Sequence, residues 1–288
     1  MTLPTLPLAQ LPARRPESHK GDFGRALLVG GSRGMSGAIA LAGIAALRGG
    51  AGLVKLAVPD VCLDVVASFE PSYMTAPLPS DNAGRIALSA KEVIAQLSDE
   101  ATCLACGPGL GRSDELTELV GGLYETATQP IVFDADALNA LSSRDRGLLS
   151  ADGPRILTPH PGEFRRLIGD EDSEFSIESL RDRSIRMAAE HGVVMVLKDH
   201  RTLITDGNRV TYNKTGNPGM ATGGSGDVLT GLITALVCQG LPPFEAAQLG
   251  VHLHGLAGDL AAERLGQTSM IAKDLADHLP EAFYRLDA

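Results

Sequence analysis

Tryptophan is absent from this 288-residue chain, and only 7 Phe and 4 Tyr stand in for it. A surface that stacks nucleic-acid bases needs exposed aromatics, and few are available here. Positive charge is also scarce: 25 Lys and Arg face 35 Asp and Glu, for a formal net charge of −10. That balance argues against broad binding to nucleic acid or to an anionic membrane. Long apolar runs are missing, since Gly and charged residues interrupt every candidate span. Residues 1–10 lack the basic start and apolar core of a secretory signal. The 4 cysteines are too few for a disulfide framework in a chain of this length. Cys103 and Cys106 have CxxC spacing, but Thr102-Cys103-Leu104-Ala105-Cys106-Gly107 has the composition of a buried strand. Small core residues are therefore favoured over a redox or metal pair, and the expected location is the cytoplasm. Two familiar nucleotide motifs are missing as well. No GxxxxGK[ST] occurs, and Gly107-Pro108-Gly109-Leu110-Gly111 departs from GxGxxG because Arg112 fills the last place.

Glycine is abundant, at 33 residues. It punctuates an alternation of short apolar runs and helical stretches. Strands are expected at residues 26–29, 53–58, 102–106, 131–133, 155–157 and 193–197. Helices are expected at 38–48, 89–97, 115–126, 137–141, 163–168 and 177–190. Residues 203–205 and 209–212 flank Asp206-Gly207-Asn208 as a hairpin. From Asp227 onward the pattern is helical, at 228–238, 243–265 and 271–285. Repeated βα units imply an α/β fold with a mostly parallel sheet covered by helices on both faces. A Pro-rich polar arm, residues 1–24, leads into one domain, residues 25–288. Ligands of such sheets gather beyond the carboxyl ends of the strands.

The densest signal is Asn217-Pro218-Gly219-Met220-Ala221-Thr222-Gly223-Gly224-Ser225-Gly226-Asp227, with an apolar helical run behind it. Glycines let backbone N–H groups converge, and a helix starting there adds its free N–H groups and dipole. The combination suits phosphate, with Gly224 and Gly226 supplying N–H groups. Asp227 is out of place in a pure anion cradle, which points to chemistry on a substrate. At a helix N-terminus its pKa is expected to be low, leaving it to orient a hydroxyl and take its proton late. The alternative role is a capping acid that complements the dipole.

Seven motifs, in order, resemble the ADP/ATP-dependent NAD(P)H-hydrate dehydratases of the ribokinase-like superfamily. They begin with His19-Lys20-Gly21-Asp22-Phe23-Gly24, Gly30-Gly31-Ser32 through Ala38, and Gly49-Gly50-Ala51-Gly52-Leu53. Gly107-Pro108-Gly109-Leu110-Gly111, Asp134-Ala135-Asp136-Ala137-Leu138-Asn139, Thr158-Pro159-His160-Pro161-Gly162-Glu163 and Gly223-Gly224-Ser225-Gly226-Asp227 follow. The resemblance implies a three-layer α/β/α sandwich and a lyase working on a kinase scaffold. Such an enzyme phosphorylates the ring hydroxyl of the S-form of NADH or NADPH hydrate, then lets phosphate leave.

On that resemblance Asp227 is the catalytic residue, and Ala40, Gly107, Gly109, His160 and Asp227 contact substrate. His160 stands where related kinases carry the Asn of Asn-x-x-Glu; a backbone-bonded structural histidine is the competing role. Lys198, Asp199, His200, Arg201, Thr202, Asn217, Gly224 and Gly226 belong to the nucleotide side, with Asn213 and Lys214 nearby. Asp199 departs from the family's usual Lys-Gly and changes the expected backbone shape of that loop. Glu163 and Asp134 reach Mg²⁺ through water, with Asp136 a further candidate and helix capping the alternative for each. ADP or ATP is the implied phosphoryl donor and a homotetramer the implied assembly, with no nucleic-acid or membrane partner. A kinase of the same superfamily acting on a vitamin-precursor alcohol is the nearest rival reading. A silent nucleotide sensor is the rival from another class.

Overall fold

In the computed structural model, which describes residues 6–144, 147–170 and 175–286, the short apolar runs become nine strands of one sheet. In chain order these are β1 Arg25–Val29, β2 Leu53–Pro59, β3 Met74–Leu78, β4 Cys103–Cys106, β5 Ile131–Phe133, β6 Arg155–Leu157, β7 Val194–Leu197, β8 Leu203–Thr205 and β9 Val210–Tyr212. Their spatial order is β3-β2-β1-β4-β5-β6-β7-β8-β9. The first seven run parallel, with Leu28 of β1 opposite Leu56 of β2 and Ala105 of β4. The expected hairpin forms β8 and β9 and adds two antiparallel strands at one edge.

Ten α-helices are described. They are α1 Ser36–Arg48, α2 Leu63–Ala67, α3 Lys91–Ser98, α4 Asp114–Thr126, α5 Asp136–Ser142, α6 Pro161–Leu167, α7 Ile177–His191, α8 Ser225–Cys238, α9 Pro243–Leu265 and α10 Ala272–Leu286. Central strands such as β4 and β7 are buried along their whole length, which explains their unbroken apolar sequences. One core joins Leu28, Val132, Ile156 and Val196 to α1, α8, α9 and α10. The other joins Leu27, Leu104, Phe133 and Leu157 to the helices from α3 to α7. The result is the expected α/β/α sandwich.

Side chains three apart on a strand point to opposite faces. Cys103 accordingly lies in the first core and Cys106 in the second. The CxxC spacing therefore makes no pair, and both thiols are free and buried.

Two elements escape the sequence pattern. Edge strand β3 contains Pro77 and is mostly half-exposed, so it lacks both apolar alternation and a continuous apolar run. Helix α2 has only five residues. The described part of the N-terminal arm is largely exposed and is held at a few points, with Leu6, Ala9 and Leu11 packed against the core. Leu6 accepts a hydrogen bond from Gln248 on its carbonyl, and Arg14 sits 3.8 Å over the Phe23 ring while donating to the Gly50 carbonyl. Among the described residues no helix is long and apolar enough to cross a membrane.

One core residue is a cation. Arg155 on β6 is 1% exposed. Among the described residues it has no carboxylate partner in hydrogen-bond reach; its guanidinium donates to the carbonyls of Tyr124, Ala127, Gln129 and Pro154. Three of these cluster at or just beyond the carboxyl end of α4, where unpaired carbonyls concentrate.

Candidate active site

The site is built where the parallel strands end. Asp134 directly follows β5 and is 1% exposed. Burial by itself would push its pKa up, but the Lys198 ammonium and hydroxyl donors outweigh that and hold it below the ordinary value. Lys198, at the end of β7, donates to Asp134 Oδ1 at 2.6 Å, and Thr230 of α8 donates to Oδ2 at 2.8 Å. The next residue, Ala135, has φ 50° and ψ −120°, a conformation that favours glycine. That turn sends Asp134 inward and lets Asp136 accept the Gly111 N–H at 2.9 Å.

The loops after β1 and β4 interlock beside Asp134. Gly31 N–H donates to the Pro108 carbonyl at 2.8 Å, and Ser32 Oγ donates to the Gly109 carbonyl at 2.8 Å. Gly107 and Gly109, expected beside the substrate, have an immediate internal reason for being glycine. A Cβ on Gly107 would lie 1.8 Å from the Asp134 carbonyl oxygen, and one on Gly109 would lie 2.4 Å from that of Met35. Ala40 is in α1 with its methyl buried.

Gly224 caps α8 with φ 94°, and Asp227 lies in the first turn. Among the described residues no hydrogen bond reaches the Asp227 side chain. Its pKa is raised to about 7, first by burial and then by Asp134, with Asp136 and Glu163 adding to the effect and Lys198 opposing it. The expected low value is thus corrected. A helix N-terminus favours a carboxylate by only about 0.3–1 kcal/mol, and loss of water plus like charge outweighs it. Gly226 is the close neighbour of the Asp134–Lys198 pair. A Cβ there would approach Lys198 Nζ to 3.3 Å and Asp134 Oδ2 to 3.4 Å.

His160 occupies the cap position of α6. Its Nδ1 accepts the N–H groups of Gly162 at 3.0 Å and Glu163 at 3.3 Å, while Glu163 Oε2 accepts the His160 N–H at 2.8 Å. An accepting Nδ1 puts the ring proton on Nε2, and burial first, with help from Lys198 and Arg166, lowers its pKa against the opposing pull of Glu163. The backbone-bonded role is therefore present, and half of the imidazole remains exposed. Gly162 is required here, since a Cβ would lie 2.9 Å from His160 Cε1.

Asp134 and Glu163 commit their oxygens inside the protein. Glu163 also sits 3.8 Å from Lys198 Nζ. Among the described residues no group of three or more His, Cys, Asp or Glu could hold a metal ion. The donors present do not fit a Mg²⁺ caged directly by protein.

A cavity of about 880 Å³ opens next to this cluster. His160, Lys198, Asp199, His200, Thr202, Asn217 and Gly226 line it, as do parts of α9. Of the other expected nucleotide residues, Gly224 begins the adjoining helix and Arg201 is exposed, with its carbonyl accepting from Arg181. Asp199 is drawn aside by Arg181 at 3.2 Å and His200 at 3.1 Å, which fixes the loop where glycine was expected.

Helix α9 supplies residues that sequence reading passed over. Asp259 accepts the Gly216 N–H at 2.9 Å and Asn217 Nδ2 at 3.0 Å. The His252 carbonyl accepts from Thr215 Oγ1 at 2.8 Å. A Cβ on Gly255 would lie 2.3 Å from Thr215 Oγ1, and one on Gly258 would lie 2.3 Å from Met220 Sδ. The available signal was polar and glycine residues recurring every three or four positions in an otherwise apolar helix.

The sequence model of a family described as NAD(P)H-hydrate dehydratase matches residues 26–281. A bifunctional NAD(P)H-hydrate repair enzyme of Moorella thermoacetica is 47% identical over 281 residues, covering 97% of this chain and 53% of its own length. The chain thus spans about half the length of the first curated relatives it matches. An ADP-dependent (S)-NAD(P)H-hydrate dehydratase of Neisseria meningitidis is 40% identical over 272 residues, covering 92% and 86% of the two chains. The crystal structure of ADP/ATP-dependent NAD(P)H-hydrate dehydratase from Bacillus subtilis, co-crystallised with ATP/Mg²⁺, superposes with a TM-score of 0.81 at 31% identity over 96% of this chain and 94% of that one. Ribokinase from Thermotoga maritima matches in fold, with a TM-score of 0.53 at 17% identity over 89% and 99% of the chains.

Proposed function

Since the chain belongs to the NAD(P)H-hydrate dehydratase family, we propose that it returns the S-form of NAD(P)H hydrate to NAD(P)H, with ADP or ATP as phosphoryl donor. Asp227 carries the reading. It is a carboxylate without a hydrogen-bond partner among the described residues, at a glycine-capped helix start, with its pKa raised to about 7. A base with that pKa can take a proton near neutral pH. Asp227 accepts the proton of the ring hydroxyl as its oxygen attacks the terminal phosphorus, and the donor nucleotide leaves one phosphate shorter. The ring nitrogen then pushes its lone pair toward the ring, the C–O bond breaks, phosphate departs and loss of a ring proton restores the double bond.

The cavity beside Lys198 and Asn217 takes the nucleotide, and the N–H groups around Gly224 and Gly226 face its phosphates. The Bacillus subtilis relative was co-crystallised with ATP/Mg²⁺. A Mg²⁺ here would come in on the nucleotide's phosphates and keep its water, with Asp134 and Glu163 in outer contact. Ala40, Gly107, Gly109 and His160 form the hydrate side, and His160 offers its Nε2–H. The reading carries with it an N-terminal arm (residues 1–24), one catalytic domain (residues 25–288), a cytoplasmic location and a homotetramer, the last checked by light scattering.

The decisive assay incubates the protein with NADH hydrate and ADP or ATP. Recovery of NADH absorbance with stoichiometric phosphate supports the proposal; a stable phosphorylated product would make the protein a kinase. The rate should fall as pH drops through about 7, because protonated Asp227 cannot accept a proton. A flat profile between pH 5 and 8 would remove Asp227 from that role.

A further inference from the structure

The segment from Thr215 to Gly226 contains Gly216, Gly219, Gly223, Gly224 and Gly226, so little in its own covalent structure holds it. Its first half is fixed from α9 by Asp259 and the His252 carbonyl. Its second half, which faces the cavity, has a single side-chain hold among the described residues. His254 Nε2 lies 2.9 Å from the Ser225 carbonyl oxygen and 3.4 Å from Ser225 Oγ. A carbonyl oxygen only accepts, so Nε2 carries the proton and donates.

We infer that His254 is a positioning residue for the anion loop: as a buried donor it pins Ser225, and with it the flanking Gly224 and Gly226, so that their N–H groups converge on the nucleotide. His254 is 8% exposed and lines the same cavity, between Val251 and Gly255. Burial, aided by the Lys198 charge across the cavity, drives its pKa down to about 4, against the pull of the Ser225 carbonyl. The ring therefore stays neutral, and it shapes the loop without adding a second cation to the one Lys198 provides. Leucine would fill the space but leave the carbonyl without this donor. The inference rests on the nucleotide-dependent reading above.

The test uses the full chain with His254→Leu, which removes the donor, and His254→Gln, whose amide nitrogen can reach the same carbonyl. ADP and ATP affinities are measured by calorimetry, and KM for the hydrate in the repair assay. His254→Leu should weaken nucleotide binding about tenfold, equivalent to about 1.4 kcal/mol. His254→Gln should restore it to within about threefold, and hydrate KM should stay within about twofold in both. A Leu variant that binds nucleotide as wild type does, or a Gln variant that binds as weakly as Leu, overturns the inference. If the Leu variant does not fold, His254→Asn replaces it. That shorter amide should lose affinity where Gln keeps it, and equal affinities would sink the idea. Wild-type protein that binds no adenine nucleotide would bring down the functional proposal itself.

Discussion

Asp227→Asn should stabilise the empty protein, and by more at pH 8 than at pH 5. In the fold Asp227 titrates at about 7, against a reference value of 3.8. A carboxyl whose folded pKa is raised contributes stability below the unfolded pKa and loses it as pH rises through the folded one. Relative to an asparagine that never ionises, the wild-type residue costs the fold about 2 kcal/mol at pH 5 and about 4 kcal/mol at pH 8, at about 1.4 kcal/mol per pKa unit. The gain from the substitution thus grows by roughly 2–3 kcal/mol between the two. At about 2 °C per kcal/mol for a chain of this size, the rise in Tm should be about 5 °C larger at pH 8 than at pH 5. Thermal unfolding of nucleotide-free wild type and variant at both pH values reads this directly. Any hydrogen bond the new amide makes is independent of pH and cancels in the difference. The same substitution should lower turnover by about 10²–10⁴-fold, as loss of a positioned base does. An identical Tm change at both pH values would refute the argument that burial and neighbouring carboxylates destabilise the charged residue.

Lys198→Met should destabilise the protein by about 3–5 kcal/mol, because it leaves Asp134 buried and unpaired; adding Asp134→Asn should recover much of that in urea unfolding. Arg155→Lys should cost about 3 kcal/mol in the same assay, since one ammonium cannot reach four carbonyls, and a change below 1 kcal/mol would contradict the packing described. Ala135→Gly should stabilise by about 1 kcal/mol, the relief of a positive φ less the entropy glycine loses on folding; a destabilised variant would show that the turn is not strained.

Much of the architecture was legible because a buried parallel sheet writes itself as short apolar runs bounded by glycine. Most predicted strands and helices lie within two residues of those observed, and the hairpin around Asp206-Gly207-Asn208 closes as its turn residues require. Strand β3 was not legible, because a half-exposed edge strand needs no apolar pattern. The glycine-flanked Asp227 stood out at once, yet its charge state did not. That depends on Asp134 and Lys198, residues 93 and 29 positions away in the chain, and on water lost when α8 packs. Asp199 illustrates the same limit. Its departure from Lys-Gly was visible, but the Arg181 contact that accommodates it belongs to another helix. His254 and Asp259 were passed over inside what read as an ordinary apolar helix, because the polar and glycine spacing there marks a face without saying which distant loop it holds.

The interlocked glycine loops after β1 and β4 bear on how this region can evolve. Gly30, Gly107 and Gly109 each abut a carbonyl oxygen of a different segment, closely enough that one added methyl would collide. Such positions cannot drift independently. A replacement at one is tolerated only if the facing backbone has already moved, so variation here should arrive as coupled changes across three strand ends, and single-site libraries should find these positions almost silent.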